Sequence, residues 1–326
     1  MRQKVLICAQ SFQKLNGDHK KILEDAGLEI VPSGLDRALK AEELAERIGG
    51  MSAVIVGMDT VNETVIKAAD RLKVVSMNGV GLDRIDIKAA TKRGIVVTHT
   101  PGTNMDSVAD HTMALILSCV RQIPYHDRVV RTGGWKRSVG RELRGQQIGL
   151  IGLGYIGKGV ALRALAFGMR VLAFDPFLDT QFCSKHDIHA CDLETILSAS
   201  DILSLHCPVT PQTEKLINAR TIAAMKRGAI LINTSRGELV DQNDLVHALN
   251  SGQLGGAGLD VFETEPPKNS PLWEMDQVVL TPHLGGNTKE AALRTAYQSA
   301  FNVVAILTGG TAHRVVNQEV LQTNEN

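Results

Sequence analysis

The stretch Gly149-Leu150-Ile151-Gly152-Leu153-Gly154-Tyr155-Ile156-Gly157 limits what this chain can fold into more than any other part of it. Gly152, Gly154 and Gly157 stand in a G-x-G-x-x-G pattern at the end of an apolar run. A helical stretch comes next, and then a second apolar run, Val171-Leu172-Ala173-Phe174, which ends on Asp175. Strand, tight glycine turn, helix and second strand make a dinucleotide-binding βαβ unit. Gly152 permits the turn, Gly154 lets backbone approach a pyrophosphate, and Gly157 lets the helix pack close to the strand. The helix N-terminus offers free N–H groups and partial positive charge to the phosphates. Asp175 is placed to accept hydrogen bonds from both adenosine ribose hydroxyls. A 2′-phosphate would meet its like charge, so NAD is expected rather than NADP.

The rest of the chain has to be compatible with that unit. Its 326 residues suit two domains, each able to bury a core. Lysine plus arginine and aspartate plus glutamate both number 35, a balance that argues against a nucleic-acid or membrane surface. Apolar runs such as Met113-Ala114-Leu115-Ile116-Leu117 are too short to span a bilayer. Val5 to Ala9 is too short for a signal-peptide core and reads as a first strand. Cys8, Cys119, Cys183, Cys191 and Cys207 are scattered, with no C-x-x-C, so free thiols in a reducing cytoplasm are expected. No metal site is expected.

Strand-like runs at Lys4–Ala9, Glu29–Pro32, Ala53–Gly57, Leu72–Met77 and Ile95–Thr98 alternate with helical segments around 18–26, 41–48, 62–70 and 86–93. A second series runs through Gln147–Gly152, Arg170–Asp175, Ile202–His206, Ala229–Thr234, Ala257–Val261 and Val278–Thr281. Such alternation implies parallel sheets covered by helices on both faces. A long helix from about Asn104 to Arg121 comes after Thr100-Pro101-Gly102, and another runs from Thr288 to about Leu307. The expected fold is therefore α/β, with a Rossmann dinucleotide-binding domain (102–284) inserted into a smaller, flavodoxin-like α/β substrate domain (1–101, completed by 285–326).

In doubly wound sheets, ligands bind beyond the carboxyl ends of the strands. The segments just after the strands of the second series are therefore informative. They are Cys207-Pro208, then Asn233-Thr234-Ser235-Arg236-Gly237, then Asp260 to Pro266, then Thr281-Pro282-His283-Leu284-Gly285-Gly286. An arginine, a glutamate and a histidine are expected on the same sheet rim as the glycine turn. They match the needs of hydride transfer at a 2-hydroxy acid. Arg236 can hold a carboxylate and the neighbouring oxygen in its planar fork. His283 can give a proton to a 2-oxo group and take it back. Glu265 can accept from the other ring nitrogen and so fix the tautomer.

These segments resemble the D-isomer-specific 2-hydroxyacid dehydrogenase family, which includes phosphoglycerate, glyoxylate/hydroxypyruvate, D-lactate and formate dehydrogenases. The resemblance covers nearly the whole chain. It implies an Arg–Glu–His catalytic set at Arg236, Glu265 and His283, and a nicotinamide carboxamide held by Asp260. It implies that Tyr155, Ile156, Cys207, Thr234 and Ser235 line the cofactor cleft, and Pro208, Gly285 and Gly286 complete the expected lining. The loop Asn78-Gly79-Val80-Gly81 resembles the one whose Val80 and Gly81 amides bind the substrate carboxylate, with Asn78 beside them. Asn104 matches a position near substrate or nicotinamide. Trp135 resembles part of a dimer arm, so a homodimer is expected.

Bland readings compete at several positions. Arg236 reads also as a surface ion-pair residue, and Glu263 competes with Glu265, although the family pattern puts the acid directly before Pro266. His111 either packs in the long helix or faces the cleft. Cys207 has no base nearby in sequence and is not read as a nucleophile. For the substrate, Asp59 stands where phosphoglycerate-specific members carry a basic residue, and it would repel a phosphate. The sequence also ends at Asn326, so the C-terminal regulatory domain of serine-controlled members is not expected. Glyoxylate, hydroxypyruvate and 3-phosphoglycerate all remain as substrates. The non-enzyme alternative is an NAD(H)-sensing, corepressor-like scaffold, against which the joint presence of Arg236, Glu265 and His283 argues.

Overall fold

Two all-parallel sheets form because two sets of short strands are apolar on both faces. The structure is a computed structural model that describes residues 2–322. The chain divides into two compact units: Met1–Asn104 with Asn287–Asn326, and Met105–Gly286.

The first unit holds β1 (Lys4–Ile7), β2 (Glu29–Pro32), β3 (Ala53–Val56), β4 (Val74–Met77) and β5 (Val96–Thr98). Their spatial order is β2-β1-β3-β4-β5, the flavodoxin-like order. Alternate residues feed opposite cores. Leu6, Val54, Val75 and Val97 join one cluster, while Val5, Ile7, Ala53, Ile55, Val74 and Val96 join the other. The returning helix Lys289–Thr308 caps the second cluster with Ala296, Ala300 and Val303. It starts with Thr288 accepting the Ala291 N–H and ends at Gly309 in the left-handed region.

The second unit holds β6 (Gln147–Ile151), β7 (Arg170–Phe174), β8 (His189–Ala190), β9 (Ile202–Leu205), β10 (Ala229–Asn233), β11 (Leu254–Leu259) and β12 (Val278–Leu280). The order β12-β11-β10-β9-β6-β7-β8 is a doubly wound Rossmann sheet, reversing between β6 and β9. Leu150, Ala173, Ile202 and Ile232 face one core, and Ile151, Leu172, Leu203 and Leu231 face the other. Helices Met105–Arg121 and Tyr155–Ala166 cover the first of these faces. They approach closely: a Cβ on Gly159 would sit 3.1 Å from the Ala109 Cβ.

The structure departs from the sequence expectations in a few elements. Strand β11 begins at Leu254, three residues before the expected Ala257. Gly255 and Gly256 hide its start, and both are there for closeness: added Cβ atoms would meet Gly228 O at 2.6 Å and Gln277 O at 2.8 Å. Helix Ile123–Arg131 was not expected beyond Arg121. Gln122 takes a left-handed conformation, and Pro124 sits in the first turn, where a missing N–H costs nothing. Helix Gln10–Lys14 and the two-residue β8 also escape the sequence pattern. No described helix is long and apolar enough to cross a membrane. The five cysteines are free thiols.

Candidate active site

The glycine turn sits at the reversal point of the second sheet, and steric crowding dictates two of its three glycines. Gly152 has φ +98°, and a Cβ there would lie 2.6 Å from the His206 backbone carbon. A Cβ on Gly157 would lie 2.1 Å from Gly152 O. Gly154 differs: an added Cβ would meet nothing within 4 Å. It is the N-cap of Tyr155–Ala166, so the space a side chain would fill opens onto the helix N-terminus. That open cradle fits a pyrophosphate. Tyr155 is half-exposed at the start of the helix, and Ile156 packs on the core below.

Asp175 closes β7. Its carboxylate accepts the Leu153 N–H at 2.7 Å on one oxygen and the Phe177 N–H at 2.8 Å on the other. Each oxygen keeps a lone pair for a ribose hydroxyl. Beyond β9, His206 donates to or accepts from Ser204 Oγ at 2.9 Å, and burial pushes its pKa down to about 4. Cys207 comes next, its thiol pushed up to about 11, chiefly by burial, so no reactive thiolate stands there at neutral pH. The Pro208 carbonyl accepts the Thr213 hydroxyl.

Beyond β10, Thr234 is buried against Thr112, 3.0 Å between hydroxyls, and Ser235 Oγ donates to Cys207 O at 2.7 Å. The Arg236 carbonyl accepts from Asn233 Nδ2, and Arg236 Nη1 donates to Ser235 O. Gly237 must be glycine, since a Cβ would fall 2.0 Å from the Phe262 backbone carbon. That contact presses the arginine loop against the segment leading to Glu265.

Glu265 and His283 meet. Glu265 Oε2 lies 2.7 Å from His283 Nδ1, and Oε1 accepts the Phe262 N–H at 3.1 Å. Nδ1 therefore carries the hydrogen given to Glu265, and Nε2 is the ring nitrogen left for a substrate. The ring is partly exposed. His283 itself has φ +50°, unusual for a residue with a side chain, and its loop is held from below by Asp260. Asp260 O accepts the His283 N–H at 2.8 Å, and the carboxylate accepts the Leu284 and Gly285 N–H groups at 2.9 and 2.8 Å. Thr281 Oγ donates to Asp260 Oδ1 at 2.6 Å, and His111 Nε2 lies 3.4 Å from the same oxygen. Burial works against the Asp260 charge, yet the bonds from His111, Thr281, Leu284 and Gly285 outweigh it and hold the carboxyl below its usual range. Gly286 closes the loop and the second unit.

In the first unit, Asn78 comes directly after β4 and is buried. Its Nδ2 donates to Ser11 Oγ at 2.9 Å, and its Oδ1 accepts from Ser299 Oγ at 3.1 Å. The side chain thus braces its loop against Ser11 and Ser299. The Val80 carbonyl is tied to His99 Nδ1 at 3.2 Å. Asn104 ends the first segment of this unit. Asp59 does not present its charge as the sequence suggested. It is 1% exposed, with its carboxylate bound to the Leu39 and Gly57 N–H groups at 2.8 and 2.9 Å. Asp59 thus turns its carboxylate inward onto backbone donors.

Sequence reasoning left His111 open and passed over Thr281. A signal for His111 was available: it is four residues from Ser107 and from Leu115, both buried, and so lies on the inward stripe of its helix.

A family model described as "D-isomer specific 2-hydroxyacid dehydrogenase, NAD binding domain" matches residues 113–285. Among curated relatives, D-3-phosphoglycerate dehydrogenase of Methanocaldococcus jannaschii is 40% identical over 93% of this chain and 58% of its own length. Glyoxylate reductase of Thermofilum pendens is 42% identical over 90% of this chain and 89% of its own length. This chain thus spans little more than half the length of the phosphoglycerate relative. Among solved structures, the TT0316 protein from Thermus thermophilus superposes with a TM-score of 0.86 at 39% identity, over 96% of this chain and 100% of that one.

Proposed function

This chain belongs to the D-isomer-specific 2-hydroxyacid dehydrogenase family, and from that premise we propose that it is an NAD-dependent oxidoreductase acting on a small D-2-hydroxy acid and its 2-oxo partner. The observation that carries the reading is the 2.7 Å contact between His283 Nδ1 and Glu265 Oε2, beyond the carboxyl ends of the strands of the same sheet that carries the glycine turn. Structural histidines have no need of a half-exposed ring oriented by a carboxylate.

When bound, NAD supplies the acceptor or donor of hydride. The protein's own residues do the rest. Gly152, Gly154 and Gly157 hold the pyrophosphate at the helix N-terminus, and Asp175 takes the ribose hydroxyls. Tyr155, Ile156, Cys207, Pro208, Thr234 and Ser235 line the cofactor, with Gly285, Gly286 and Asp260 toward the carboxamide. Arg236 grips the substrate carboxylate and the reacting oxygen, turning C2 to one face. In reduction, His283 Nε2 delivers a proton to the 2-oxo oxygen. In oxidation, it removes the hydroxyl proton. Glu265 keeps the ring in one tautomer through both directions. Val80 and Gly81 are assigned the substrate carboxylate through their backbone N–H groups, and Asn78 holds that loop in shape. Asn104 is assigned a place near substrate or nicotinamide.

Glyoxylate, hydroxypyruvate and 3-phosphoglycerate share the carboxylate beside the reacting carbon, and all three are candidates. Initial rates of NADH oxidation at 340 nm against glyoxylate, hydroxypyruvate, pyruvate and phosphohydroxypyruvate, with NADPH in parallel, test the reading. Turnover of one compound well above the rest, with NADH preferred, supports it and names the substrate. NADH binding without turnover of any compound would overturn it in favour of an NAD(H)-sensing scaffold. A cytoplasmic location is proposed from the five free thiols. A homodimer is proposed from the 84% exposed Trp135. Light scattering that finds a monomer at micromolar concentration would remove the dimer.

A further inference from the structure

His111 has no part in the proposed reaction, yet it ends a part-buried chain of hydrogen bonds that runs to the loop carrying His283. Its Nε2 lies 3.0 Å from Thr281 Oγ and 3.4 Å from Asp260 Oδ1. A count of hydrogens settles the direction. The Asp260 carboxyl is held in its ionised form, so it only accepts. Thr281 has a single hydroxyl hydrogen, and it goes to Asp260 Oδ1 at 2.6 Å. The Thr281 oxygen can therefore only accept from His111, and Nε2 of His111 carries a hydrogen.

That hydrogen meets a carboxylate holding the loop at consecutive residues. The Asp260 backbone carbonyl takes the His283 N–H, Oδ1 takes the Leu284 N–H and Oδ2 takes the Gly285 N–H. His283 stands at φ +50°, a conformation that persists only where the surrounding structure holds it, and these bonds fix the backbone around it. Gly285 shows how closely the parts fit. A Cβ there would sit 3.0 Å from Asp260 Oδ2 and 3.4 Å from His111 Cδ2. His111 is fixed in turn on helix Met105–Arg121, whose inward face packs on the sheet core.

We propose that His111 is a positioning residue: by donating into the Thr281–Asp260 pair, it holds the 281–286 segment in the shape that aims His283 Nε2. This rests on the proposed role of His283, and the test has one readout that does not. The variants are His111→Leu, which removes the donor, His111→Gln, whose amide N–H can reach the same acceptors, and Thr281→Val, which breaks the chain at its next link. The expected result is a kcat about 10- to 100-fold lower in His111→Leu and Thr281→Val, the size of loss that comes from misplacing a reacting group. The NADH Kd should stay within about threefold, and His111→Gln should recover most of the kcat. Amide hydrogen–deuterium exchange across residues 281–286 should be faster in His111→Leu and near wild type in His111→Gln. A His111→Leu protein with kcat within twofold of wild type and unchanged exchange would overturn the proposal. So would a Gln variant no better than Leu. If His111→Leu does not fold, Thr281→Val carries the same comparison, and wild-type kcat and exchange in it would be equally fatal. If the wild-type protein turns over no 2-oxo acid, the oxidoreductase reading fails, while the exchange rates still decide for or against the role of His111.

Discussion

In the first unit Asp59 lies beyond the end of β3, and in the second Asp260 lies beyond the end of β11. Both are 1% exposed, and both carboxylates accept two backbone N–H groups of the loops around them. Asp260 also takes Thr281 and His111, and the loop it holds presents His283 to Glu265. The same device, a buried carboxylate pinning the carboxyl end of a parallel strand, closes a loop in one unit and aims a titratable ring in the other. A charge read in a sequence thus says little about what it faces. Asp59 looked like an electrostatic gate against phosphate, and it is a structural pin.

The contrast can be broken first at His283. His283→Ala should lower kcat about 10²- to 10⁴-fold, the usual range for a lost acid–base group, with NADH still binding. Stopped-flow turnover alongside fluorescence titration of NADH checks this, and substantial residual turnover would remove the acid–base assignment.

Paired variants sharpen the comparison. Asp59→Asn and Asp260→Asn should each lose about 1–3 kcal/mol of stability in urea unfolding, because each leaves buried backbone donors poorly matched. Only Asp260→Asn should also lose turnover at a temperature where both are folded. Equal loss of kcat in the two would erase the distinction between pin and aiming device.

His206 offers a pH test of the second unit. Burial lowers its pKa to about 4, so the folded state prefers the neutral ring. Well above about pH 6.5 neither state is protonated and nothing is lost. As the pH falls from there toward 4, the unfolded chain takes up a proton that the folded one refuses, and stability drops by up to about 3 kcal/mol. His206→Gln should flatten that part of the stability–pH curve, and an unchanged curve would place the acid sensitivity elsewhere.

The smallest effect is expected at the competing acid. Glu263→Gln should change kcat/KM by less than about twofold, since an exposed carboxylate away from the ring contributes little. Glu265→Gln should cost at least about tenfold more. A reversal would transfer the orienting role to Glu263.

Much of the fold was legible because its signals are local. Gly157 is dictated by a contact of 2.1 Å with Gly152 O inside one turn, and the apolar strands announce a sheet buried on both faces. Strand β11 was read late because Gly255 and Gly256 answer to Gly228 and Gln277, which are distant in sequence. The site was legible as residue types after strand ends. Its wiring was not, because His111 lies 170 residues before Thr281 and a helix position states no partner.

By itself, the sequence determined the two βα series, the dinucleotide turn with its Asp175, and the candidates Arg236, Glu265 and His283. Those come from spacing, chain stiffness and side-chain chemistry, which need no distant neighbour. Tertiary structure alone decided that Asn78 is braced between Ser11 and Ser299, that Asp59 turns to the Leu39 and Gly57 amides, and that His111 reaches Asp260. A buried polar group takes whichever partner the packed fold leaves within about 3 Å, and that choice is made by the folded chain as a whole.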